Sequence, residues 1–185
     1  MTFKEPLISI AAVLTGKAIE FVEENYEHLK NQETLDGMNL RELMIHISEK
    51  WIKPTFGSEF LGKQAVQRIS VLQSTISGYA RPRSIISLPE ATVVFSDSGF
   101  EDEVAALLTL IEPANMFIIR VHREGHDYMN DSRRYLTAEN SPKLAGAHFL
   151  DVENDGTEQG YTNAFLENVF MVMRSAHKEK VANGS

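Results

Sequence analysis

The chain has 185 residues, 43% of them apolar, no cysteine and a formal net charge of −8. That length suits one domain with a real core, and the missing cysteine excludes disulfides, thiolate zinc sites and a cysteine nucleophile. No apolar run reaches the roughly 18 residues of a membrane helix, the N-terminus lacks a signal-peptide core, and the acidic balance argues against coating a nucleic acid polymer.

Pro6 fits the first turn of a helix, with Leu7, Ile10, Ala11 and Leu14 at helical spacing and Gly16 placed to end it. Ile19, Val22, Tyr26 and Leu29 predict a second, more acidic helix. Asp36-Gly37 marks a turn. Asn39 and Glu42 form a capping pair that opens a helix with Leu40, Leu43, Met44, Ile47 and Trp51 on one face. Lys53 to Gly57 breaks that pattern, and Ser58 can cap a helix burying Phe60, Leu61, Ala65 and Ile69. Residues 74 to 90 read as irregular, with Gly78, Pro82 and Pro89 among serines.

The second half alternates. Thr92 to Phe95 is a short β-branched run ending in Ser96-Asp97 and predicts a buried strand. Glu101 to Ile111 predicts a helix with Val104, Leu107, Leu108 and Ile111 inward and acids in its first turn. Met116–Val121 and His148–Val152 predict two further strands, separated by a polar stretch over 123–147. Asn154-Asp155-Gly156 turns into a closing helix from Thr157 to about Arg174, aligning Tyr161, Phe165 and Val169, and 176–185 reads as a flexible tail. The expected fold class is therefore α/β: a small parallel sheet with flanking helices and a helical N-terminal half, as a single domain over 1–175.

Four of the nine arginines, Arg120, Arg123, Arg133 and Arg134, fall close together with His122 and His126. A basic cluster on an acidic chain suits a small polyanion, or else a solvated loop whose arginines pair with Glu124, Asp127 and Asp131.

Several segments resemble one family. Phe3-Lys4-Glu5-Pro6-Leu7 looks like a Phe-x-x-Pro-Leu segment, Leu40-Arg41-Glu42-Leu43 like an Arg-Glu-Leu helix start, and Phe56-Gly57-Ser58-Glu59-Phe60 like a Phe-Gly-x-(Asp/Glu)-Phe/Trp stretch. Ser96-Asp97-Ser98-Gly99-Phe100-x-x-Glu103 is similar to an acid-bearing strand end, and Arg120-Val121-His122-Arg123-Glu124-Gly125 to Arg-Val-x-Arg-x-Gly. Asp131-Ser132-Arg133 is similar to part of a lid. Asn154-Asp155-Gly156-Thr157 resembles the Asn-Asp-Gly-(Ser/Thr) that opens a last helix. Taken in this order, these segments resemble those of the deoxynucleoside monophosphate kinases of tailed phages, which are P-loop nucleoside monophosphate kinases.

The resemblance departs from the family at two places. Such kinases carry Gly-x-x-x-x-Gly-Lys-(Ser/Thr), whose backbone N–H groups cradle phosphate. Here the nearest string, Ala11 to Ala18, has alanine where the first glycine and the magnesium-binding hydroxyl should stand, and Gly16-Lys17 reads as a helix C-cap. The family's Asp-Val-Arg is Asp97-Ser98-Gly99, so an arginine that would meet substrate phosphate is absent.

The resemblance implies phosphoryl transfer from ATP, with Mg2+, to a deoxynucleoside monophosphate in the cytoplasm of the host cell, in a chain that is truncated or inactive as it stands. Phosphoryl transfer needs cations around the phosphates and an acid for the metal. In that reading Asp97 serves Mg2+ through water, Asp97, Arg123 and Arg133 are catalytic, and Arg41, Arg134 and Phe100 bind substrate. Arg123, Arg133 and Arg134 would belong to a lid-like loop over 123–147. The other reading is a non-catalytic descendant that binds nucleotide or a protein partner. Asp97 then caps a helix, and Arg81 and Arg83 are plain surface charge. Tyr79, Phe100 and Tyr128 could stack on a base or simply pack. His122 and His126 lack the helix a metal pair would need, and Ser96 and Ser98 lack a nucleophile elbow. Losing a first strand would expose the edge of Thr92–Ser96. Pairing with Met116–Val121 and a homodimer are expected to cover it.

Overall fold

The computed structural model describes residues 1–79, 92–125 and 134–175, with backbone alone for 76–79. They fall into two compact units, one of Met1–Ser98 with Ala105–Leu107 and one of Gly99–Val104 with Leu108–Ser185. The chain is mixed α/β, predominantly helical, with one small parallel sheet. Among the described residues no helix is long and apolar enough to cross a membrane.

In the first unit, α1 (Glu5–Thr15) starts with Pro6 in its first turn and ends at Gly16, whose φ of 65° is left-handed. Lys17 N–H reaches back to Ala12 O at 2.9 Å, which completes a Schellman cap that glycine makes cheaply. The buried face is Leu7, Ile8, Ala11 and Ala12, one position round from the expected stripe, and Leu14 is half exposed. The acidic helix divides at Asn25 into α2 (Ile19–Glu24) and α3 (Tyr26–Leu29).

Asp36 and Gly37, both at positive φ, join β1 (Glu33–Leu35) to β2 (Met38–Asn39) as a small antiparallel hairpin. Positive φ at both central residues is what a tight hairpin turn demands. The Asn39–Glu42 capping box forms in full and opens α4 (Leu40–His46). A π-helical stretch, Ile47–Ile52, continues it, followed by α5 (Lys53–Phe56). The expected break at Lys53 is therefore delayed to Gly57. The π turn also explains why Trp51 is exposed and Ile52 buried: five residues, rather than four, now separate neighbours on one face. α6 (Phe60–Tyr79) buries Leu61, Ala65 and Ile69 as expected, while Phe60, expected with them, is half-buried against the core. It runs through the first part of the stretch read as irregular. The core of this unit joins Leu7, Ile8, Val22, Leu40, Leu43, Met44, Ile47 and Leu61.

The expected strand over 92–96 is not a strand among the described residues. Met1 lies alongside it instead: its N–H donates to Val94 O at 3.0 Å and its carbonyl accepts Ser96 N–H at 3.2 Å. Between these two contacts lies Phe95, whose ring stacks on Phe3 at 4.4 Å.

In the second unit β3 (Phe117–His122) and β4 (His148–Glu153) pair in parallel, from Phe117 opposite His148 to His122 opposite Glu153. β3 thus takes β4 as its ladder partner, not 92–96. Both strands run where the apolar runs Met116–Val121 and His148–Val152 put them, to within a residue at each end. The helix from Glu101 is shorter than expected: α7 (Glu101–Ala105) passes into a 3₁₀ turn at Ala106–Thr109, and Ile111 is exposed. Asn154 and Asp155 fold back on Gly156 and Thr157, and Thr157 caps α8 (Glu158–Phe165) by accepting Gly160 N–H at 3.1 Å. A π turn, Leu166–Phe170, extends it and buries Val169.

Candidate functional site

Asp97 ends the extended stretch that Met1 accompanies. Its two carboxylate oxygens accept the backbone N–H groups of Phe3 at 2.8 Å and Lys4 at 3.1 Å. These donors lead into α1, so the acid closes a helix N-terminus distant in sequence, a role favoured by the helix dipole. Burial pushes the Asp97 carboxyl above its usual range, opposed by the two backbone donors and the charge of Lys4. Beside it, Arg68 of α6 donates to Thr2 O at 2.7 Å and pairs with Glu5. Burial lowers the Arg68 pKa, and the charge of Asp97 opposes that shift. No motif flagged Arg68. Its position between Ala65 and Ile69 on a buried face was the available signal.

Asp97 suits an inner-sphere magnesium ligand poorly, because both oxygens are already engaged by backbone donors. Among the described residues no group of three or more His, Asp or Glu converges on a point that could hold a metal ion.

The other expected site residues lie as follows. Arg41 is exposed in the first turn of α4. Phe100 is half-buried, and its carbonyl accepts Val104 N–H at 3.3 Å. Arg134 is exposed and donates to Asn140 O at 3.1 Å. Arg133 lies outside the described residues, as do Arg81, Arg83, His126, Tyr128, Asp131 and Ser132 and the side chain of Tyr79. Asp97 and Arg41 belong to the first unit, and Phe100, Arg123 and Arg134 to the second.

The carboxyl ends of β3 and β4 bring together more chemistry than the sequence indicated. Arg123 is exposed, and its guanidinium lies 3.6 Å from where a Cβ on Gly156 would stand, beside the Asn154–Thr157 turn. Arg120 grips Asp151, directly opposite it in the ladder, with Nε at 2.8 Å from Oδ1 and Nη2 on Oδ2. Its Nη1 also donates to Leu136 O at 3.5 Å. His122, two residues on and so on the same face, binds Oδ1 of Asp151 through Nε2. The Tyr135 ring packs against the His122 ring, centroids 4.6 Å apart and tilted by 40°, and its hydroxyl donates to Val121 O at 2.7 Å. Arg120, then desolvation acting against it, then His122 shape the Asp151 carboxyl, and the net shift is below its usual range.

Sequence reading placed His122 in the basic cluster and set aside a metal pair for it, but assigned no role to Asp151. The i, i+2 spacing of Arg120 and His122 in a strand was the legible half. The partner acid depended on a register between segments about thirty residues apart. Comparison with models of protein families, with curated proteins and with solved structures finds no match for this chain.

Proposed function

We propose that this chain is a deoxynucleoside monophosphate kinase-like protein that binds the phosphate of a deoxynucleotide at the carboxyl ends of β3 and β4. The observation carrying this reading is the meeting of two family-like segments. Arg120–Gly125 and Asn154–Thr157 lie far apart in sequence, yet Arg123 comes to rest beside Gly156. Open α/β sheets bind ligands at the carboxyl ends of their strands, and a planar guanidinium pairs well with phosphate oxygens.

ATP, Mg2+ and the roles of Arg41, Phe100, Arg133 and Arg134 enter through the resemblance alone. So do a phage origin, a place in the host cytoplasm and a homodimer covering the exposed Val93 and Val94. Phosphoryl transfer by these 185 residues should be very weak, because no Gly-x-x-x-x-Gly-Lys-(Ser/Thr) string is present to preorganise donors around the phosphates. A coupled assay against the four deoxynucleoside monophosphates tests this, with negligible turnover expected. Turnover of several per second on any of them would overturn it.

Binding is tested by calorimetry with a deoxynucleoside monophosphate. Affinity should be weak, fall with salt and fall again in Arg123→Ala. Unchanged affinity in Arg123→Ala combined with Arg134→Ala removes these arginines from the site.

A second reading, a non-catalytic nucleotide-binding or protein-interaction protein, is favoured by Asp97, whose oxygens are taken up by Phe3 and Lys4. No detectable binding of any deoxynucleoside monophosphate by the folded chain decides for its protein-interaction form.

A further inference from the structure

The His122–Asp151 pair has a chemical consequence that stands apart from the nucleotide reading. Asp151 is held in its ionised form by the two-point grip of Arg120. An ionised carboxylate only accepts hydrogen bonds. The His122 nitrogen facing it, Nε2, must therefore carry the ring proton. In the neutral ring that leaves the lone pair on Nδ1, since the hydrogen bond made by one nitrogen sets the state of the other.

The remaining geometry fixes that ring in place. The Tyr135 ring packs against the imidazole at a 40° tilt and is itself tied to Val121 O. Arg120 is tied to the backbone at Leu136, so the acid behind the histidine is anchored. The His122 side chain keeps 34% of its exposure and Asp151 keeps 51%, so a small reagent can reach the ring. A histidine oriented and charge-compensated by a buttressed carboxylate has the arrangement that activates a nucleophile.

We propose that His122 is a phosphoryl-accepting nucleophile, with Asp151 as its positioning residue and a small, high-energy phosphoryl compound, of the phosphoramidate or acyl phosphate class, as the donor. In the step with phosphoramidate, the Nδ1 lone pair forms a new bond to phosphorus. The existing bond from phosphorus to the amine nitrogen breaks, and its electron pair leaves with the nitrogen, which departs as ammonia after taking a proton from solvent. The ring gains positive character as it bonds. Its Nε2 keeps its proton, hydrogen-bonded to the ionised Asp151 carboxylate, whose negative charge offsets that of the ring. No electrons are gained or lost overall and no nucleotide takes part, so failure here leaves the nucleotide-binding reading untouched.

The test uses the full chain with phosphoramidate. The expected product is an alkali-stable, acid-labile phosphoryl group that mass spectrometry maps to His122, and that is absent from His122→Gln. Asp151→Asn should slow its formation at least tenfold while leaving the far-ultraviolet circular dichroism unchanged. Long-range 15N–1H correlation in alkaline buffer reads the tautomer directly. A proton on Nε2 of His122 is expected in the wild type, and loss of that preference in Asp151→Asn. No alkali-stable label on the wild type, a label on His28, His46 or His148 instead, or a wild-type proton on Nδ1 would each overturn the proposal. The wild-type measurements stand even if a variant fails to fold.

Discussion

Asp97 Oδ1 accepts the backbone N–H of Phe3 at 2.8 Å, across 94 positions of sequence. With Lys4 on the other oxygen and Phe3 stacked on Phe95, this contact pins the start of α1 to the extended stretch 92–97. Replacing Asp97 with alanine leaves both N–H groups without their acceptor in a half-buried setting. The expected cost is about 1–3 kcal/mol of stability, read from urea unfolding. A loss below a few tenths of a kcal/mol would show that water replaces the carboxylate freely.

The same acid gives a pH signature. Its folded pKa is raised, chiefly by burial, so folding favours the neutral form. The stability from that preference is fully present below the unfolded value of about 3.9 and is lost as pH rises through the raised folded value. Asp97→Asn keeps an acceptor and does not titrate. The stability of the wild type minus that of Asp97→Asn should therefore fall as pH is raised from about 4 and then level off. A difference that rises with pH contradicts the assignment.

Asp151 runs the other way. Arg120 and His122 hold its folded pKa below the ordinary value. Its contribution is present above the unfolded value and is lost as pH falls through the depressed folded one. Because the carboxylate is half exposed, the pairing is worth about 1 kcal/mol or less. Asp151→Asn should match the wild type only in strong acid, as measured by unfolding at a series of pH values. A deficit that persists in acid would point to lost packing rather than lost charge.

Gly160 offers a test of local geometry. A Cβ there would collide with the Asp155 carboxylate, which also accepts the N–H and hydroxyl of Thr157. Alanine inside a helix is normally better than glycine by about 1 kcal/mol. Gly160→Ala should fail to show that gain in the wild type and recover it when Asp155→Ala is present. Equal gains in both backgrounds would mean the Asp155 side chain moves aside at no cost.

At the hairpin–helix junction, Asn39 and Glu42 satisfy each other's backbone donors. Asn39→Ala should cost about 1 kcal/mol in chemical denaturation, and Asn39→Asp or Asn39→Ser should recover most of it.

Local chemistry was read well from sequence because its causes lie within a few residues. The Asn39–Glu42 box, the Gly16 cap, the Asp36-Gly37 turn and the Asn154–Thr157 lead-in all formed as their side chains dictate. The two strands of the second unit were legible from β-branched runs with turn residues around them. Less legible were features set by small changes in helical pitch. The π turn at Ile47–Ile52 moved Trp51 off the buried face, and no residue type announces such a turn.

The sequence by itself determined the capped helix ends at Gly16, Asn39 and Thr157, the tight turn at Asp36-Gly37, and that β3 and β4 would be strands, since propensity, capping and steric limits on φ act over one or two turns of chain. Only the tertiary structure decided that Thr92–Phe95 runs beside Met1 without forming a strand, that Asp97 serves the α1 N-terminus, and that Asp151 stands opposite Arg120 with His122 beside it. Those outcomes depend on which distant segments meet. An unpaired backbone group or carboxylate takes whatever partner the packing brings within about 3 Å, and no pattern of neighbouring residues specifies that partner.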